Sequence, residues 1–79
     1  MMADDPAITP YEKQAKNILK SELKRRGITY AILAEKLTER GAHETERNLA
    51  NKISRGSFTA AFFMMCMDAI GVRQVSLEV

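Results

Sequence analysis

The sequence has little of what small functional scaffolds are usually built on: one cysteine, one histidine, two prolines and no tryptophan in 79 residues. A lone Cys66 excludes an internal disulfide and with it a stapled secreted scaffold, so a reducing cytoplasm is the expected compartment. His43 stands far from Cys66 in the chain, and no HExxH, CxxC or Cys/His zinc spacing occurs. Neither a metal nor a cofactor is expected. The four glycines never fall as GxGxxG or GxxxxGK, which removes the phosphate-cradling loops, and no enzyme is expected. The first residues lack the basic start and apolar stretch of a signal peptide, and no apolar run approaches the roughly 18 residues of a membrane span, so no membrane partner is expected. With 28% charged residues and so few prolines, the composition is not that of a disordered tail, and the length supports one small domain.

What is present is helical periodicity broken by punctuation. Met1 to Ile8, carrying Asp4, Asp5 and Pro6, has no periodicity and reads as a mobile flank; residues 9–79 read as a single domain. Thr9 and Glu12 form a capping-box pattern with Pro10 at the first helical position, and Tyr11, Ala15, Ile18, Leu19 and Leu23 mark one apolar stripe ending at Gly27. Lys13, Lys16, Lys20 and Lys24 occupy the other side, and Glu22 is spaced to pair with Arg26 at the stripe's edge. A second helix is predicted from a Thr29 cap through Leu33, Ala34 and Leu37 to Gly41. A third runs over 45–55 from a cap near Thr45 to Gly56, with Leu49, Ala50 and Ile53 inward.

The fourth helix is capped by Ser57 or Thr59. Choosing Thr59 sets Phe58 and Phe63 in hydrophobic-staple positions. From Ala60 to Ile70 only Asp68 is polar, so this helix must be covered on nearly every side, by the other helices or by a partner chain. Val72 is placed to close a Schellman motif against Met67. Val75, Leu77 and Val79 alternate with polar residues, as in a short strand or a packed extended tail. Cys66, set among Met64, Met65 and Met67, reads as a neutral core thiol, and His43 is given no role.

The pattern Gly27-Ile28-Thr29, then Leu33-Ala34, then a capped helix and Arg55-Gly56 before another apolar helix, resembles the helix-turn-helix domains of the lambda-repressor type over residues 10–72. That resemblance implies an all-α fold of four to five short helices, with a DNA-binding function. The stretches TYAILAEKLTERG, ERNLANKISRGSF and AAFF are also similar to a family of short bacterial proteins known only as a domain of unknown function. Two features depart from the repressor pattern. The segment from Ala34 to Gly56 is longer, so either the second helix or the turn after it is extended, and Ser54 stands where an acid often precedes the Arg-Gly pair.

Projecting the third helix at about 100° per residue places Arg47, Asn48, Asn51 and Arg55 opposite Leu49, Ala50 and Ile53. Glu46 projects toward the inward side and Glu44 precedes the cap, so the outer face is expected to carry no acid. Arg can donate a bidentate fork to guanine and Asn can pair with adenine, so these four are the candidate base-reading residues. A solvated surface would more often carry better helix formers than two asparagines. Thr29, Tyr30, Thr45 and Lys52 are the candidate phosphate contacts, followed by Lys13 and Lys16; Tyr30 reads equally well as a core residue.

The expected function is sequence-specific binding of double-stranded DNA as a small transcriptional regulator, dimeric through helix 60–70 or tail 75–79. The alternative is a helical protein–protein interaction module that binds no DNA. The net charge of +2 does not decide between them, because a basic first helix is offset by an acidic flank.

Overall fold

A threonine begins each of the four helices. The computed structural model describes residues 9–77 and contains α1 (Pro10–Arg25), α2 (Tyr30–Glu39), α3 (Glu46–Arg55) and α4 (Ala60–Ala69), with no strand among the described residues. The side chains of Thr9, Thr29, Thr45 and Thr59 accept hydrogen bonds from the backbone N–H groups of Glu12, Ile32, Asn48 and Phe62, at 3.0–3.2 Å. Each satisfies a donor that the first turn leaves without an intrahelical partner. At α1 the box is reciprocal, because the Thr9 N–H also donates to Glu12 Oε1 at 2.7 Å. Thr59 is thereby the cap of α4, and the Phe58 and Phe63 rings stack with centroids 6.0 Å apart, as the staple requires.

The chain leaves α1, α2 and α4 through paired Schellman bonds, including Ile28 N–H to Leu23 O, Ala42 N–H to Leu37 O and Val72 N–H to Met67 O. α3 ends differently. Gly56 is itself the C-cap at φ +72°, it is buried, and a Cβ there would collide with the backbone carbonyl of Glu12 on α1. That close approach seats the end of α3 on the start of α1.

α3 packs against α1 and α2, and α4 packs against α2. Their shared core has Leu19, Leu33, Leu37, Leu49, Ile53 and Cys66 out of contact with solvent. Glu22 pairs with Arg26 at 3.5 Å, as its spacing predicts, and with Arg25 at 3.3 Å. Asp68 joins two elements: Arg40 after α2 and Arg73 after α4 both donate to its carboxylate at 3.2 Å, and these hydrogen bonds hold its carboxyl below its ordinary pKa.

Several expectations are corrected. Tyr11 lies on the apolar stripe by spacing but is 81% exposed, standing at the mouth of a groove between α1 and α4 instead of against a filled core. Glu46 is exposed rather than inward. The other helices alone do not cover α4 all round, since Met64 is 68% exposed and Ala60 and Ala61 are exposed too. The tail forms no strand over residues 73–77; Val75 is half-buried, Leu77 is exposed, and the Gln14 side chain donates to the Leu77 carbonyl. The flank at 1–8 and Val79 lie outside the described residues. The extra length before Gly56 falls in the link 40–45, because α2 spans only ten residues.

Candidate nucleic-acid interface

α3 owes its orientation to two residues. Leu49 and Ile53 are completely buried, one turn apart, and Ala50 is half-buried beside them, so the helix cannot rotate without exposing that stripe. Its opposite side is thereby fixed. Arg47, Asn48, Asn51 and Arg55 are all exposed on it, as the projection predicts. Among the described residues none of these four side chains is in an ion pair or a side-chain hydrogen bond. The Asn48 backbone N–H is the one that Thr45 caps.

Asn48, Asn51 and Arg55 also border a concavity of about 480 Å³ between α3 and the start of α4, floored in part by Phe58 and Phe62. Arg47 stands outside this concavity, so the four residues share a helix face but only three share the groove. The face therefore combines forked cationic donors with amides that can both donate and accept.

Lys52 behaves differently from its neighbours. Its ammonium donates to Glu44 Oε2 at 2.7 Å and sits 4.7 Å from the centroid of the Phe62 ring, a cation–π contact. The Glu44 side chain is only 16% exposed. The expectation of an outer face free of acid is corrected accordingly: one carboxylate stands at the rim, engaged with the helix's one lysine. The sequence sets Glu44 off the face because it precedes the cap; eight positions separate it from Lys52, and its approach depends on the extended backbone of the Thr45 cap, with ψ 162°.

Thr29 and Thr45 are exposed, and each hydroxyl oxygen accepts a capping N–H while keeping a proton to donate. Thr45 lies at the start of the α3 face, whereas Thr29 and Tyr30 lie at the start of α2. Tyr30 is half-buried and packs against the core. On α1, Lys13 is exposed and Lys16 half-buried.

Elsewhere, His43 is exposed on the α2–α3 link. Cys66 is fully buried, and burial pushes its thiol up to about 12, so it stays neutral at ordinary pH. No group of three His, Cys, Asp or Glu side chains able to hold a metal ion exists among the described residues. No described helix is long and apolar enough to cross a membrane.

A second surface is apolar. The groove between α1 and α4, also about 480 Å³, is lined by Tyr11, Ala15, Phe63, Val75 and Leu77 among others, and Met64 stands beside the adjoining hollow that Phe63 and Val75 share.

These observations define a small all-helical domain with one polar helix face and one apolar groove. A family described as a domain of unknown function, DUF6471, matches residues 11–75, and the chain belongs to it. No curated protein and no solved structure matches the chain.

Proposed function

We propose that the protein binds double-stranded DNA in a sequence-specific manner through the outer face of α3, as a small transcriptional regulator. The observation that carries this reading is the exposure of Arg47, Asn48, Asn51 and Arg55 on one side of a helix whose other side is anchored by fully buried Leu49 and Ile53. A rigidly seated helix presenting arginine and asparagine is what reading base edges in the major groove requires. α2 and α3 serve as a lambda-repressor-like helix-turn-helix in this reading. Thr29, Tyr30 and Thr45 are its phosphate contacts, with Lys13 and Lys16 as secondary ones. The link 40–45 is longer than the roughly 3–4-residue turn of the compact motif, which alters how far α2 stands from the backbone that α3 enters. This is a binding protein, with no reaction assigned to it.

Electrophoretic mobility shifts over a pool of genomic fragments test the reading. Wild type retards a subset of fragments, and an Asn51→Ala/Arg55→Ala variant loses at least tenfold for that subset, since each bidentate base contact contributes about 1–3 kcal/mol of discrimination. Equal binding of all fragments by both proteins at every salt concentration removes base reading.

A second reading, a helical protein–protein interaction module, is favoured by one specific observation: Tyr11, Met64 and Leu77 are exposed around the α1–α4 groove. The two readings meet in a homodimer formed through this side. Pull-down from the native host distinguishes them: a stoichiometric different protein with no enriched DNA selects the interaction module.

A further inference from the structure

Lys52 is the only lysine of α3 and the cation that a phosphate-binding helix would be expected to use. Yet its ammonium is bound on two sides of its chemistry, by the Glu44 carboxylate at 2.7 Å and by the Phe62 ring at 4.7 Å. The pair is not an ordinary surface pair. The Glu44 side chain is 16% exposed against 41% for Lys52, so the carboxylate is the deeper partner and is screened less by salt. Swinging Lys52 out to a phosphate would leave that carboxylate half-buried, unpaired and facing a polyanion. The base-reading candidates meet no such obstacle, since Arg47, Asn48, Asn51 and Arg55 are exposed on the same helix.

We propose that Glu44 is a specificity-setting residue of this face, which withholds Lys52 from DNA phosphates. The proposal rests on the DNA reading above. A phosphate contact strengthens binding to every sequence alike, whereas base contacts strengthen binding to one. Withholding the lysine lowers the non-specific background while leaving Arg47, Asn48, Asn51 and Arg55 to discriminate. The ratio of specific to non-specific affinity rises, although absolute affinity falls.

The test is a double-mutant cycle of Glu44→Gln and Lys52→Met, with affinities for a retained and a non-retained genomic fragment measured from about 50 to 200 mM salt and helix content checked by circular dichroism. Glu44→Gln should bind both fragments more tightly and narrow the difference between them. Its salt dependence should steepen by one phosphate contact, a further loss of about 3.5-fold across that salt range. Lys52→Met alone should not flatten the slope; by leaving the Glu44 carboxylate unpaired it should weaken binding to both fragments alike, and the Glu44→Gln/Lys52→Met double variant should bind no tighter than wild type. The proposal is overturned if Lys52→Met alone flattens the slope, because the lysine then already contacts phosphate. It is also overturned if the Glu44→Gln/Lys52→Met double variant still binds more tightly than wild type, because the gain then does not come from a released lysine. A wild-type protein that retards no duplex at any salt removes the DNA reading itself, and this proposal with it. Wild-type binding with a failed cycle removes only the role of Glu44.

Discussion

Gly56 adds to the positive φ that its fellow glycines share a close approach that they do not. At φ +72° any L side chain is disfavoured by about 1–2 kcal/mol, and a Cβ there would also strike the Glu12 backbone, which cannot rotate away as a side chain could. Gly27 sits at a similar φ of +68° with nothing within 4 Å of its absent Cβ. Gly27→Ala should therefore cost about 1 kcal/mol and Gly56→Ala about 3 kcal/mol or more, with Tm falling by about 4–8 °C per kcal/mol in a domain of this size. Parallel thermal melts check the difference; equal losses would show that α1 yields at this contact. Cys66 offers a second residue-scale prediction. Its folded pKa, about 12, lies above the ordinary 9.0, so its contribution to stability is intact below about pH 9 and is lost as pH rises from there toward 12. Urea melts should show this alkaline decline, and Cys66→Ala, which has no thiol proton to lose, should decline less steeply over the same range. A thiol reagent at pH 8 should label the native protein far more slowly than the unfolded one.

At the scale of the element, the helices are short and rely on their ends. Ten residues is below the length at which a helix holds in water by propensity alone, so α2, α3 and α4 depend on packing and caps. Thr45 is informative because it caps the helix proposed to read DNA. Thr45→Ala should cost about 1 kcal/mol of stability and should loosen the first turn, which holds Arg47 and Asn48, more than the last, which holds Arg55. Amide exchange along α3 checks this: uniform protection from Glu46 to Arg55 would show that Leu49 and Ile53 hold the helix without its cap. These element ends were legible beforehand because caps and stops are local. Thr9 with Glu12, Thr29, Thr45, the staple of Phe58 and Phe63, and the Val72–Met67 closure each involve residues within a few positions of one another. The Glu44–Lys52 contact was not legible, since it spans a cap and two turns and takes its geometry from Phe62 on another helix.

For the whole molecule, the balance is between a core that is closed and a side that is not. Leu19, Leu33, Leu37, Leu49 and Ile53 leave no solvent contact, while Tyr11, Met64 and Leu77 remain on the surface around one groove and its neighbouring hollow. Apolar side chains gathered on one side mark an association surface more often than scattered ones do. Sedimentation at micromolar concentration should then reveal a species heavier than the 8.9 kDa chain, and Leu77→Lys should shift it toward monomer. A lone 8.9 kDa species at every concentration would remove the dimer and reduce the proposed DNA reader to a single, weaker module.

By itself the sequence determined the caps and stops of α1, α2 and α3, that Leu49, Ala50 and Ile53 face the core, and that Arg47, Asn48, Asn51 and Arg55 face away from it. Those outcomes follow from helical periodicity and from hydrogen bonds closed within one or two turns. Only the tertiary structure decided that Tyr11 stays exposed on an apolar stripe, that Gly56 abuts Glu12, and that Lys52 is tied to Glu44 beneath an otherwise cationic face. Each depends on how far one helix extends past another, a distance set by the packing of Leu19, Leu33, Leu37, Leu49 and Ile53 together and by no residue's local neighbours.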